Sequence, residues 1–106
     1  MRNIPVKEWA IKNQDGTEGK EDTLIILSFL IGMKKPEELP RGFEQFKLFS
    51  KLTRAFEKAN ETKVLLLEED SYKFLKNIVS SDIPSAWGGN KNIYEAINAF
   101  MEAKEE

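Results

Sequence analysis

The most apolar stretch of the chain is residues 23–33, in which eight of eleven side chains are large and hydrophobic and none is charged. It is too short to cross a bilayer, which takes about 20 apolar residues. A helix that is apolar on every face is typical of a central element in a soluble protein. Glu21 and Asp22 suit the start of such a helix, and Gly32 with Pro36 suits its end. We therefore expect a buried core helix that the other elements surround.

Helical spacing of apolar residues recurs in three later segments. At about 100° per residue, six apolar side chains of residues 43–60 fall within an arc of about 120°: Leu48, Phe49, Leu52, Ala55, Phe56 and Ala59. A further helix opens at the acidic residues 68–70 and continues at helical spacing, and Pro84 closes that region. The last helix carries a buried stripe that ends at Met101, and Asn92 with Glu95 resembles a capping box at its start. A connector at residues 36–42, bracketed by prolines, has room for one helical turn.

Two segments favour short strands. Residues 4–12 alternate loosely between apolar and polar side chains, and residues 62–67 form a short apolar run that could pair with them. Residues 13–16 supply turn chemistry, whereas residues 17–20 are too polar and rich in glycine to predict a strand. The expected fold is mainly α within the α+β class: about four helices around a buried central helix, with a small two-stranded or hairpin β element. Residues 1–106 are expected to form a single globular domain.

Composition restricts the chemistry. The chain has 106 residues, a formal net charge of −2, no cysteine and no histidine. Disulfides and thiolate chemistry are therefore excluded, and the commonest general base and metal ligand are missing. The acidic clusters at residues 37–38 and 68–70 lack calcium-loop spacing, so neither a metal nor a cofactor is predicted. No signal peptide is recognisable at the N-terminus, and we expect a cytoplasmic protein without a membrane segment.

A stripe of positive charge is the main candidate for a binding surface. Four cations share one face of the helix at residues 43–60: Lys47, Lys51, Arg54 and Lys58. They are spaced four, three and four residues apart, and each adjacent pair repels by roughly 0.2–0.5 kcal/mol in an isolated helix. Acids such as Glu44, Glu57 and residues 68–70 neutralise the stripe, or the stripe is merely solvated. The functional alternative is a contact surface for an acidic protein or for phosphates.

A second candidate is Trp87, which two glycines follow. It could act as a lid on the core or as an exposed anchor for a partner, since tryptophan is enriched in binding hot spots. The residue types present allow catalysis by a serine–lysine pair, but no motif in the sequence indicates which serine and lysine would form it.

Some features occur in the same order as in small proteins encoded by tailed phages and prophages. These are Asp15-Gly16, Thr23-Leu24, Lys51-Leu52 with Ala59, and Leu65 to Asp70 with Leu75-Lys76. The chain resembles that group up to the third helix, whereas Trp87 and the last helix fall outside the resemblance. The resemblance implies an accessory role in the host cytoplasm, either in particle assembly or in the inhibition of a host factor.

These observations predict a non-enzymatic protein–protein interaction module. The expected partner is a protein, an acidic one if it binds the basic stripe, and self-association stays open. The predicted contact residues are Lys47, Lys51, Arg54, Lys58 and Trp87. The alternative is a nucleic-acid-binding regulator that uses the same basic stripe, although the net negative charge favours a protein partner. An enzyme is the third possibility, and it would need carboxylates or a serine–lysine pair in a pocket.

Overall fold

The computed structural model describes residues 1–34, 37 and 41–104, except for the side chain of Asp82. Within these residues the chain forms four short strands, four α-helices and a 3-10 helix at Ser85–Gly89. The strands are β1 Arg2–Pro5, β2 Glu8–Lys12, β3 Glu18–Asp22 and β4 Val64–Leu67. The helices are α1 Thr23–Gly32, α2 Phe43–Thr62, α3 Glu69–Asp82 and α4 Lys91–Met101. The α+β class is therefore confirmed, whereas the predicted connector lies mostly outside the described residues.

The strands form two separate antiparallel pairs. β1 pairs with β4, which places Ile4 opposite Leu65, and both side chains are fully buried. This pairing confirms the predicted contact between the N-terminal strand and the apolar run before α3. Residues 4–12 are not one strand, however, because the chain leaves β1 after Pro5 and starts a second sheet. The buried hydroxyl of Thr23 accepts a hydrogen bond from the Lys7 amide at 3.0 Å and fixes this crossing.

The hairpin of β2 and β3 corrects the expectation that residues 17–20 are not a strand. Its turn is fixed by Asp15, whose carboxylate accepts hydrogen bonds from the amide and hydroxyl of Thr17, and by Gly16 at φ 88°. Gly19 lies opposite Ile11. The backbone hydrogen bonds of a largely exposed two-stranded hairpin do not require apolar side chains. The polar side chains of residues 17–20 were therefore a poor argument against a strand at β3.

One hydrophobic cluster draws side chains from β1, β4 and all four helices. At its centre Tyr72 of α3 and Phe100 of α4 are buried, with ring centroids 5.1 Å apart. The Tyr72 hydroxyl donates to the Phe100 carbonyl at 2.8 Å. Arg2 covers this region: it donates two hydrogen bonds to Glu69 and one to the Ala103 carbonyl. The first strand and the end of α4 are thereby tied to α3.

Helix α1 is present as predicted, but its enclosure on every side is not confirmed. Asp22 caps it by accepting a hydrogen bond from the Ile25 amide at 2.9 Å. Leu27 and Leu30 are buried, with 1% and 0% exposure, whereas Ile25 is 48% and Phe29 53% exposed. The reason is geometric: α3 and α4 pack against one side of α1, and α2 leaves a groove beside it. The neighbouring helices therefore cover only part of its circumference.

Two helix boundaries differ from the sequence expectations. α2 continues two residues beyond Asn60 and ends where Lys63 adopts a left-handed conformation at φ 63°, with its amide donating to the Ala59 carbonyl. The start of α4 is capped by Asn90, whose side chain accepts from the Ile93 amide at 3.1 Å. The predicted cap at Asn92 is therefore wrong, because that residue already lies inside the first turn and faces solvent.

Candidate functional site

The exposed side of α1 is the clearest candidate surface. Four residues lie on this side, and we call them the outer face of α1: Ile25, Ser28, Phe29 and Gly32. They are three, one and three residues apart, which places them on one side of a helix that turns about 100° per residue. All four residues are exposed. The most apolar helix of the chain therefore presents two large hydrophobic side chains and two small residues to solvent.

A groove runs between α1 and α2 beside the outer face. α1 and α2 run in opposite directions here: Asp22 at the start of α1 lines the groove together with Asn60 near the end of α2, whereas Ile31 further along α1 lines a pocket with Phe49 and Leu52, earlier in α2. The groove has a volume of about 690 Å³. Its lining comprises Asp22, Leu24, Ile25, Ser28, Phe29, Thr53, Phe56, Glu57 and Asn60. Among these described residues the charged ones, Asp22 and Glu57, are both acidic. The groove therefore combines the apolar side chains of Leu24, Ile25, Phe29 and Phe56 with uncharged polar residues, and it is negative at one end.

Trp87 borders the outer face. Its ring lies 5.4 Å from that of Phe29, centroid to centroid, at an angle of 42°. Trp87 is half-buried against the core, and it also lines a cavity of about 160 Å³ together with Ile83 and Tyr94. Trp87 lies within the 3-10 helix at Ser85–Gly89, and its amide donates to the Pro84 carbonyl at 3.0 Å. Trp87 thus covers part of the core and extends the apolar surface of α1.

Half of the predicted basic stripe is engaged by carboxylates. Lys51 Nζ donates to Glu68 at 2.8 Å and to Asp70 at 3.2 Å. Lys47 lies 3.7 Å from Glu44. The hydrogen bonds to Glu68 and Asp70 raise the pKa of Lys51 above its ordinary value. Burial opposes ionisation of Asp70, but the Lys51 ammonium and the Ser71 amide outweigh it and leave the pKa of Asp70 lowered.

The other two cations of the stripe have no carboxylate partner among the described residues. Arg54 donates weakly to the carbonyl and hydroxyl of Ser50, at 3.4 and 3.3 Å, and Lys58 is exposed. Both readings of the stripe therefore apply in part: Lys47 and Lys51 are neutralised, whereas Arg54 and Lys58 face solvent.

The predicted contact residues do not form one site. Lys51 contacts the start of α3, whereas Trp87 follows the end of that helix, about 20 Å away along its axis at 1.5 Å per residue. Lys51 and Arg54 line a cleft of about 380 Å³ near β4, while Thr53 and Phe56 on another side of α2 face α1. The outer face of α1 and the basic stripe are thus separate surfaces, and Trp87 belongs with the first.

The cleft beside Lys51 also contains Ser71, which is 2% exposed and whose hydroxyl has no hydrogen-bond partner within the described part of the chain. Serine–lysine catalysis requires a neutral amine to take the serine proton. Lys51 is instead held as an ammonium between Glu68 and Asp70. This arrangement does not supply the base that such a pair needs.

Two further features are absent from the described residues. These residues contain no cluster of three or more acidic side chains placed to hold a metal ion. None of their helices combines the length and the apolar character needed to cross a bilayer.

Sequence reasoning missed the outer face of α1. The run at residues 23–33 predicted burial on every side, and four of the five predicted contact residues lie on the charged helix α2 instead. A local signal was present, because Ser28 and Gly32 are the two residues of α1 that are neither large nor buried, and they lie four apart. Those two positions mark the side of the helix that faces solvent.

No protein-family model, curated protein or solved structure matches the chain. The resemblance to phage-encoded proteins therefore stays a prediction, and function is argued from the surface of this molecule.

Proposed function

We propose that the chain is a non-enzymatic protein–protein interaction module whose docking surface is the outer face of α1 with the adjoining groove. The observation that carries this proposal is the exposure of Phe29 and Ile25, at 53% and 48%, on the most apolar helix of the chain. Contiguous apolar patches on soluble proteins mark interaction sites far more often than isolated hydrophobic residues do. Trp87 beside Phe29 makes this patch contiguous.

The chemistry of the surface suits an apolar helix as the docked element. Amphipathic helices commonly bind by laying their apolar side into a groove between two helices. Phe29 and Trp87 are aromatic anchors of the kind that dominate binding energies. Asp22 and Glu57 place negative charge at one end of the groove, which sets a direction for the bound helix.

The basic stripe has a secondary role in this proposal. Arg54 and Lys58 can attract an acidic partner and accelerate association, an effect that salt weakens. A nucleic-acid regulator that uses the basic stripe has less support, because Lys47 and Lys51 are already paired with acids and only Arg54 and Lys58 of the four stripe cations are left for phosphates. If the phage resemblance holds, the module acts in the host cytoplasm as an assembly factor or an inhibitor.

The docking surface is tested by affinity capture with the Phe29→Asp variant as bait, followed by quantitative mass spectrometry. We expect partner recovery to fall at least about tenfold, because a charge in the centre of an apolar contact opposes burial. Phe43→Asp is the matched control: Phe43 is 70% exposed on α2, outside the groove, and recovery should not change. Circular dichroism and urea midpoints establish that both variants fold.

A third bait separates the two candidate surfaces. The Arg54→Glu, Lys58→Glu double variant should still capture the partner at physiological salt. Loss of capture with this bait, together with normal capture by Phe29→Asp, would transfer the docking site to the basic stripe and reject the proposal.

A further inference from the structure

We propose that the cleft beside β4 binds a small aliphatic monocarboxylic acid, whose carboxylate contacts the guanidinium of Arg54 and the hydroxyl of Ser71. The cleft has a volume of about 380 Å³ and lies between α2, β4 and the start of α3. Ligand pockets commonly measure about 300–1,000 Å³, so the cleft suits a small molecule. It is separate from the outer face of α1, and the proposal does not depend on that docking surface.

Ser71 is the first reason to expect a polar ligand here. It lines the cleft, it is 2% exposed, and its hydroxyl has no hydrogen-bond partner within the described residues. Most buried hydroxyl groups are paired, because burial without a hydrogen bond is unfavourable. Ser80 and Ser81 of the same helix donate to carbonyls four residues earlier. A ligand oxygen in the cleft would give Ser71 the partner that it lacks.

Arg54 is the second reason, because it is a cation that an anion can reach. It lines the same cleft and donates to the carbonyl and hydroxyl of Ser50, at 3.4 and 3.3 Å. Both distances exceed the usual range of about 2.7–3.2 Å, and Arg54 is exposed, so a ligand can replace these contacts at little cost. The planar guanidinium can donate two parallel hydrogen bonds to one carboxylate.

The charges around the cleft favour a ligand with a single negative charge. Glu68 lines the cleft too, but Lys51 donates to Glu68 at 2.8 Å and to Asp70 at 3.2 Å. These two acids are therefore held by Lys51 and leave Arg54 unpaired. Because they outnumber the lysine, they would repel a dianion such as phosphate, whereas Arg54 can balance one carboxylate.

The apolar part of the wall determines the body of the ligand. Ala55, Leu66 and Leu67 line the cleft. Leu66 is 39% exposed, although Leu65 and Leu67 on either side of it in β4 are buried. A short alkyl chain would cover the exposed side of Leu66, and removal of this apolar surface from water favours binding. The cleft therefore suits an acid of about the size of hexanoate.

Titration of the nitrogen-15-labelled chain with sodium hexanoate, followed by NMR near neutral pH, tests this site. We expect saturable amide shifts centred on residues 51–55 and 66–71. The dissociation constant should be on the order of millimolar, because so small a ligand makes few contacts. Hexanamide has the same body without the charge and should bind at least about tenfold more weakly. Inorganic phosphate should also bind more weakly than hexanoate.

Two variants examine the polar contacts separately. Arg54→Gln should weaken hexanoate binding at least about tenfold, and Ser71→Ala at least about threefold. Both variants should fold, because Arg54 is exposed and alanine is favourable within a helix. Lys58→Gln is the matched control: Lys58 is an exposed cation of the same helix outside the cleft, and binding should not change.

Several results would overturn the proposal. These are equal binding of hexanoate and hexanamide, tighter binding of phosphate, or equal losses for Arg54→Gln and Lys58→Gln. Shifts centred on the outer face of α1 would show that the alkyl chain binds there instead. Phe29→Asp should leave hexanoate binding unchanged. Absence of hexanoate binding would reject the acid site, while the capture experiment would still decide whether the outer face docks a protein.

Discussion

Replacing Phe100 with alanine is expected to lower the free energy of unfolding by about 3–5 kcal/mol. Phe100 is fully buried, and its ring packs 5.1 Å from that of Tyr72, centroid to centroid. Its carbonyl also accepts the hydrogen bond of the Tyr72 hydroxyl. Truncation would leave a cavity where α3 and α4 meet. Since domains of this size are commonly stable by only about 5–15 kcal/mol, much of the total would be lost.

Urea denaturation followed by circular dichroism measures this loss. Phe43→Ala is the matched control, because Phe43 is 70% exposed, and its effect should stay within about 0.5 kcal/mol. Equal effects for the two phenylalanines would show that α4 does not pack against α3 as described.

The second large effect is expected on α1, where two alanine substitutions should differ sharply. Leu30→Ala removes a fully buried side chain and should cost about 2–5 kcal/mol. Ile25→Ala removes a side chain that is 48% exposed and should cost about 1 kcal/mol or less. The measurement is urea denaturation at high dilution, where association between copies does not contribute to stability.

This pair tests whether α1 is covered on one side only. Leu30 and Ile25 belong to the same helix and are both aliphatic, so helix propensity accounts for little of the expected difference. A cost for Ile25→Ala as large as that for Leu30→Ala would mean that the helix is enclosed all round, as its composition first suggested.

The helices were predictable because each of three segments repeats its apolar residues at the helical period. In α2 the predicted apolar arc contains Leu52 and Ala59, and both are buried. The pairing of β1 with β4 was predictable for a similar reason, since the short apolar run before α3 has to be covered. These features depend on local patterns that a single sequence displays.

The one-sided burial of α1 was harder to predict. When a helix is apolar on all sides, its sequence does not show which side faces the core. Its composition shows that the helix can be buried, but not how much of its surface the neighbouring helices cover. Coverage depends on how α3 and α4 approach α1 and on the width of the groove to α2. Only Ser28 and Gly32 hinted at the exposed side.

The pairing of the basic stripe with acids was also difficult to predict from the sequence. The spacing of Lys47 and Lys51 placed them on one helix face correctly. The acids that engage Lys51, Glu68 and Asp70, lie 17 and 19 residues away in the chain and meet it only through the fold. Sequence reasoning named this acidic segment as a possible partner, but it could not choose between pairing and solvation.

The claim on which the proposed function depends is that Phe29 on α1 is accessible to a partner. Hydroxyl-radical footprinting with mass spectrometry tests it directly, because Phe43 and Phe100 provide exposed and buried residues of the same type. In dilute solution we expect Phe29 to be oxidised nearly as readily as Phe43, with Phe100 protected. If Phe29 is as protected as Phe100 in dilute solution, α1 has no open face and the account is wrong.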